Sequence, residues 1–524
     1  MPRYLYYVLL AALCAVLFFW RLGGVPLTGL DEGLYAECSR EMTATGNYLV
    51  PQCNGETFFD KPPLCYWLQA GSMHAFGVNS FAARLPSAIA GALLVALTVF
   101  IGTRLSGRSA GVASGFVLAS CILTTGLARM AIMDQLFALT ITAALGFFIL
   151  TYLGLISRHG YVWFWAAVGL SVLVKGPAGA VLIGATIFAF IAIRHRWGVV
   201  KEAVPVLGII IFLAIAVPWY VLVQNETGGA FLREFIIHQN IQRAMGEDFH
   251  HNLPFYFYIP IFIMGFFPWS VFVPLGWMAR VRLRPSDKLQ EGFLFIAVWM
   301  ATIFIVFSSA RSKLPSYIYP MFPASAVLVG AMWSACIKSG KLVSLRRYAW
   351  VALAIAVLIA AAIQIGQQYL RKPIPGLSTV LLLMGASLVV SSTIAVIMLF
   401  RGHGKAAFAA LCAGTAGFLI VAFKLGLPIA AQTIYNPVAA MGQDISASAS
   451  KCDAAYAFDL THPQPALAFY AQRPVPKVLS KHNLSEILDR PGKCLLVVQD
   501  NTKQGIPQGG KLIASHGKLL LYEF

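Results

Sequence analysis

The sequence predicts an all-α polytopic membrane domain carrying a small α/β domain at its C-terminal end, and three observations predict it. Across 524 residues, 58% are hydrophobic and only 11% charged, whereas a soluble domain carries roughly 25% charged residues to face water. Apolar runs close to the ~20 residues that cross a hydrocarbon core recur as far as about residue 425. Beyond that point polar residues return and short alternating stretches replace the long runs.

Taken in order, the runs predict about thirteen spans, near 5–22, 80–103, 110–128, 135–156, 160–174, 177–194, 203–223, 255–278, 292–309, 316–336, 348–366, 376–400 and 406–425. Around Lys175-Gly176-Pro177, one broken helix would fit as well as two short ones. The first run reads as a retained span, because Arg21-Leu22-Gly23-Gly24 follows it instead of a small-residue cleavage site. Basic residues set the orientation. With the N-terminus inside, the inner loops hold Arg104 and Arg108, then Arg158, then Arg194, Arg196 and Lys201. They continue with Arg280, Arg282, Arg284 and Lys288, with Lys338, Lys341, Arg346 and Arg347, and with Arg401 and Lys405. The net charge of +18 is this inner-loop bias, and no nucleic-acid partner is expected.

An odd number of spans leaves the tail outside, which divides the chain into 1–427 and 428–524. In the tail, Ala454–Leu460, Cys494–Gln499, Lys511–Ile513 and Leu519–Phe524 read as strands, and Pro465–Gln472 and Leu484–Asp489 as helices. The nine cysteines form no metal-binding pattern. Cys14, Cys121, Cys336 and Cys412 lie in spans; Cys38, Cys53, Cys65, Cys452 and Cys494 lie in outer segments, where an oxidising compartment would permit disulfides of undetermined pairing.

The first outer loop, about 23–79, is far longer than the two to eight residues of a plain connector. Apolar residues at helical spacing between Glu32 and Tyr48, and again from Pro63 to Phe76, predict two amphipathic helices lying in the outer interface. This loop carries Asp31, Glu32 and Tyr35, then Asp60 and Lys61. Further outer loops add Arg129 and Asp134, Lys175, His238 and Arg243, and Arg311, Lys313 and Tyr317. The topology rests on the inner loops alone, yet every one of these residues falls on the opposite side.

Ionisable groups beside a membrane core are costly unless paired or facing a wet cavity. Each residue also has a plainer reading. Asp31 and Asp134 would serve as helix caps, Lys61 as a snorkelling anchor, Arg311 and Lys313 as interfacial charges, and Tyr317 as part of the aromatic belt. Carboxylates among cations suit transfer from a phosphate leaving group, with Lys and Arg holding the phosphate and a carboxylate taking the acceptor's proton. Charge types alone would also fit a transporter or flippase for an anionic lipid. Such a protein needs polar residues through the midplane, and few are present here.

The strings themselves discriminate further. Asp31-Glu32-x-x-Tyr35-Ala36-Glu37, Asp60-Lys61-Pro62, Arg129-x-x-x-x-Asp134, Lys175-Gly176-Pro177, His238-x-x-x-x-Arg243 and Ser312-Lys313-Leu314-Pro315-Ser316-Tyr317 occur in that order. Together they resemble the GT-C glycosyltransferases of the aminoarabinose transferase (ArnT) and protein O-mannosyltransferase family, most closely the ArnT branch. The resemblance implies a multi-pass bacterial inner-membrane enzyme with its active site and C-terminal domain in the periplasm and its N-terminus in the cytoplasm. It implies transfer of 4-amino-4-deoxy-L-arabinose or a related sugar from undecaprenyl phosphate to an outer-leaflet acceptor, lipid A, by a chain acting as a monomer. A protein O-mannosyltransferase-like activity is the alternative.

By the same resemblance, Asp31 and Asp134 match the catalytic carboxylates. Lys61, Lys175, Arg243 and Tyr317 match the donor-phosphate site, while Glu32, Tyr35, Arg129, Arg311 and Lys313 fall around the substrate cavity. Asp60 and His238 match a Glu/His pair that holds zinc. The sequence departs from the ArnT pattern at Leu34, Phe58 and Asp60, where Arg, Tyr and Glu are usual. The first two changes alter the donor's hydrogen-bond partners, which bears on the identity of the sugar. The third shortens the proposed metal ligand by one methylene.

Overall fold

The computed structural model describes residues 3–235, 253–281, 288–369, 374–460, 465–489, 491–502 and 508–524. The chain opens with α1 (Arg3–Cys14), extended by a π-helical turn over Ala15–Phe19. Two helices of the first loop follow, α2 (Gly29–Thr45) and α3 (Leu64–Phe76), separated by a two-stranded hairpin of β1 (Gln52–Cys53) and β2 (Glu56–Thr57). Then come α4 (Ser80–Ser106), α5 (Arg108–Ala119), α6 (Ile122–Ala128), α7 (Asp134–Tyr152), α8 (Gly160–Lys175) and α9 (Pro177–Arg194).

Among the described residues, nine helices are long and apolar enough to cross a membrane, α4, α7 and α9 among them. Two bent pairs pass the same test together: α5 with α6, at 68°, and Phe255–Gly265 with Trp269–Met278, at 108°. Tyr4–Phe19 and α8 are shorter apolar helices. The Lys175-Gly176-Pro177 break separates two distinct helices. Gly176 takes a φ of +73°, open to a residue without Cβ, and Pro177 starts α9 where a missing N–H costs nothing.

The two ends of the bundle differ in chemistry. At one end lie basic loops whose charges meet acidic or carbonyl partners, as where Arg194 pairs with Glu291 at 2.6 Å and Arg346 donates to the carbonyl of Leu399. At the other end lie the first loop, the segment between α6 and α7, and the C-terminal region. These share one apolar core, in which Leu27, Ala36, Met73, Ala82 and Ala131 pack with Val438, Leu467 and Leu495.

The C-terminal region forms a five-stranded mixed sheet of β3 (Ala454–Phe458), β4 (Lys477–Val478), β5 (Cys494–Gln499), β6 (Lys511–His516) and β7 (Leu519–Glu523). Its order is β4-β3-β5-β7-β6, parallel on the β4 and β5 sides of β3 and antiparallel beyond β5. Helices Pro465–Ala471 and Lys481–Leu488 lie where the alternation placed them. The two-residue β4 and the helix Asn436–Ala447 were not foreseen, the first being too short to show a period. The nine cysteines are free thiols, and the Cys53 thiol donates to the Leu34 carbonyl at 3.9 Å.

One expectation is corrected. α2 does not lie in the outer interface: ten of its seventeen residues are buried, Glu32, Glu37, Arg40 and Glu41 among them. It is clamped between α3 and the C-terminal region, and its charges are matched locally. Arg40 makes two 2.7 Å bonds to Glu37 and donates to the carbonyl of Gln472, while Glu41 accepts from the Gly55 amide.

Further ties join loop and tail. The Tyr470 hydroxyl accepts from the Leu27 amide at 2.8 Å and hydrogen-bonds Ser80 Oγ at 2.7 Å. Asn54 exchanges two hydrogen bonds with the backbone of Val475. The approach is closest at Gly33, where a Cβ would stand 2.7 Å from the Ala466 amide nitrogen. Gly33→Val should therefore part α2 from the tail and cost about 1–3 kcal/mol. A lower thermal midpoint in detergent, with faster proteolysis between 428 and 465, is the expected result.

Candidate active site at one end of the bundle

Two ion pairs frame the site. In the first loop, Lys61 Nζ donates to Asp60 Oδ1 at 2.7 Å and to the Asp60 carbonyl at 3.0 Å. Tyr35, one turn into α2, reaches Asp60 Oδ2 with its hydroxyl at 3.5 Å. In the bundle, Lys175 Nζ donates to Asp134 Oδ1 at 2.7 Å, both side chains being 13% exposed. The helix ends assist: Lys175 is the last residue of α8 and Asp134 the first of α7, so each charge meets the favourable pole of its own helix. The Lys175 ammonium also lies 5.0 Å from the ring centres of both Phe137 and Tyr317. Tyr317 in turn rests on Phe307 at 5.3 Å.

Electrostatics joins the two halves. Burial raises the Tyr35 phenol well above its ordinary value, and the nearby carboxylates of Asp60, Asp31 and Asp134 raise it further. Burial pushes the Cys65 thiol up to about 12, with Asp134 adding to the shift and Lys175 opposing it. Asp31, Tyr35, Asp60, Asp134 and Lys175 thus belong to one neighbourhood, although they span 144 positions of sequence. The plainer readings of several residues fail. Thr28 occupies the cap position of α2 and Met133 that of α7, so neither Asp31 nor Asp134 stands at a cap. Lys61 turns inward to Asp60, with 12% of its side chain exposed, and does not snorkel.

Three residues expected around a substrate cavity make their contacts with other parts of the chain. Glu32 is fully buried and acts as a tie. Its carboxylate takes two bonds of 2.9 Å from Arg84, 2.6 and 2.7 Å bonds from the Thr28 amide and hydroxyl, and a 2.6 Å bond from the Ala131 amide. Arg129 aims at the end of the first helix, donating to the carbonyls of Leu17, Phe18, Trp20 and Arg21. Lys313 is buried, with its ammonium on the carbonyls of Leu253 and Ala310. Arg311 is exposed. His238 and Arg243 lie outside the described residues.

Arg84 was overlooked in the sequence. The signal was a lone arginine in the first turn of an apolar span, which requires a carboxylate partner. Among the described residues, no three His, Cys, Asp or Glu side chains come together to hold a metal. Asp60 has one oxygen committed to Lys61, and His238, its expected partner at zinc, lies outside the described residues.

Residues 60–221 match the family model for dolichyl-phosphate-mannose-protein mannosyltransferase. The undecaprenyl phosphate-α-4-amino-4-deoxy-L-arabinose arabinosyl transferase of Edwardsiella ictaluri is 30% identical over 61% of this chain. The chain spans 58% of that relative's length. Crystal structures of ArnT from Cupriavidus metallidurans superpose over 99% of the chain. The apo state has a TM-score of 0.83 at 23% identity over 97% of that chain, and the undecaprenyl phosphate complex 0.81 at 22% over 98%.

The Glu32 tie makes two predictions. Glu32→Gln would leave the buried Arg84 without its counter-charge and should cost about 3–5 kcal/mol, read as a lower thermal midpoint in detergent. Burial raises the Glu32 pKa, but Arg84 and the amides of Ala131 and Thr28 outweigh it and hold the carboxyl below its ordinary 4.5. A depressed folded pKa contributes stability above the unfolded value and loses it as pH falls through the folded one. Unfolding titrations should show wild-type stability falling on acidification below about pH 4.5, with that component missing in Glu32→Gln. In fold along its whole length, and in sequence along more than half of it, this chain is similar to ArnT.

Proposed function

We propose that the chain is a polyprenyl-phosphate-sugar glycosyltransferase, moving 4-amino-4-deoxy-L-arabinose or a related sugar from undecaprenyl phosphate to lipid A. The observation that carries the reading is the meeting of Asp60–Lys61 with Asp134–Lys175–Tyr317 at one end of an apolar bundle. The names of the arabinosyl transferase relatives support the donor and the sugar.

In this reading the two bent pairs and the two shorter apolar helices also span the bilayer, which makes thirteen spans. The N-terminus is cytoplasmic, and the site and the 428–524 domain are periplasmic, above the 1–427 catalytic domain of an inner-membrane protein that acts as a monomer. The basic loops at the far end of the bundle support this orientation.

The chemistry follows from the ion pairs. At rest Lys61 and Lys175 are each neutralised by a carboxylate. An arriving lipid phosphate competes for those ammonium groups, joined by Arg243 and the Tyr317 hydroxyl. The acceptor oxygen then forms a bond to the anomeric carbon. The bond from that carbon to the phosphate oxygen breaks, and its electron pair leaves on the phosphate, where Lys61 and Lys175 balance the charge. Asp31, exposed at the start of α2, orients the acceptor and takes up any proton it brings. Zinc between Asp60 and His238 belongs to this proposal only as a structural tie, and no step depends on it.

A second reading, transfer to protein, is supported by the mannosyltransferase family model over residues 60–221. Mass spectrometry of lipid A and of envelope glycoproteins, from cells with and without the chain, separates the two. Pentosylated lipid A that disappears with the gene is the expected outcome; loss of a protein glycan alone would favour the second reading. In a membrane transfer assay, Asp31→Asn and Lys61→Ala should each lower kcat by about 10²–10³ at normal expression. Wild-type turnover in both would remove these roles.

A further inference from the structure

Arg129 stands apart from the ion pairs described above, and its surroundings form a second cationic site. It lies in a recess lined by Val16, Leu17, Trp20 and Arg21 at the end of the first helix and by Leu419, Ile420, Phe423 and Lys424 from the last span. Its guanidinium holds four carbonyls of the first helix end and sits 4.8 Å from the Phe423 ring centre. Lys424 is held 5.2 Å from the Trp20 ring centre. Arg129 and Lys424 are therefore held against aromatic rings at this opening, and Arg21 stands exposed at its rim.

Their shared feature is the want of an anion. Four other inward-turned cations have carboxylates: Arg40 has Glu37, Arg84 has Glu32, Lys61 has Asp60 and Lys175 has Asp134, while the buried Lys313 rests on backbone carbonyls. Among the described residues no carboxylate pairs with Arg21, Arg129 or Lys424. Burial and neighbouring Arg84 push Arg129 down to about 10, whereas the ion-paired Arg40 is raised. The carbonyl pole of the first helix offsets only about half a charge of the three. A monoanion would leave the recess clearly positive; a dianion nearly balances it.

The rim shows where such an anion would come from. Val16 is 39% exposed and Trp20 45%, beside the buried Leu17 and Leu419, so an apolar wall leads from the cations along the outside of the bundle. A tryptophan at this level marks the membrane–water boundary, and basic pockets between membrane helices suit lipid headgroups.

We propose that Arg21, Arg129 and Lys424 bind the headgroup of a membrane lipid carrying a dianionic phosphate, with its acyl chains along the groove between the first helix and the last span. The site is separate from the transfer chemistry and requires only that the chain lie in a bilayer. Bound lipid would tie the first helix, and with it the entry to the first loop, to the last span.

The test is native mass spectrometry of the full chain released from nanodiscs of phosphatidylcholine containing phosphatidate or phosphatidylglycerol as a minor component. Wild type should retain phosphatidate in preference to phosphatidylglycerol. The double variant Arg21→Gln/Lys424→Gln, which leaves the Arg129 clamp intact, should retain at least about tenfold less, a loss near 1.4 kcal/mol. Three results would overturn the proposal: no preference for phosphatidate over phosphatidylcholine or phosphatidylglycerol, equal retention by the double variant, or displacement by an equal concentration of inorganic phosphate. The last would identify a free-anion site without a lipid wall.

Discussion

The Glu32 carboxylate governs the geometry of the end of the bundle that carries the two ion pairs. It is wholly buried, and a buried charge is tolerated only when its lone pairs are filled. Arg84, Thr28 and Ala131 fill them from three separate segments: a spanning helix, the entry to α2 and the link into α7. A single side chain thus sets the position of α2, which carries Asp31 and Tyr35, against the segment that delivers Asp134. Removing any donor would leave charge in a low-dielectric place, so the three segments hold or fail together.

On that foundation the site is assembled from pairs that neutralise themselves. Lysines near a bilayer are expensive as bare cations, and both are stored against aspartates within hydrogen-bond reach. Such storage suits a phosphate-binding site, because the carboxylates hold the ammonium groups in place without occupying every donor. The aromatic faces of Phe137 and Tyr317 around Lys175 add a softer restraint that need not be broken when an anion arrives.

The C-terminal sheet contributes from above. Tyr470, Gln472 and Val475 contact the first loop at three points, and Gly33 permits backbone approach that a larger residue would prevent. α2 is consequently packed on two sides, with its charges satisfied internally. This explains why its composition is poor in apolar residues although most of it is buried. A loop helix held this way is a rigid platform for Asp31, Tyr35 and, through the hairpin, Asp60 and Lys61.

Local sequence was sufficient wherever one strong, periodic force decides the outcome. Runs of apolar residues marked the helices from 80–103 to 406–425 within a few positions, and alternation in the tail marked β3, β5, β6 and β7, because hydrophobic burial repeats with the geometry of the element. The ordered motifs also put Asp31, Lys61, Asp134, Lys175 and Tyr317 on one side. What only the tertiary structure decided was the pairing of polar groups, since a charge takes whichever partner the fold brings near. Glu32 found Arg84 from 52 positions away, Arg129 turned to the carbonyls of the first helix, and α2 sank between two layers instead of resting on lipid. Helical period is written in neighbouring residues, whereas ion-pair partners depend on contacts distant in the chain, and no local pattern encodes them.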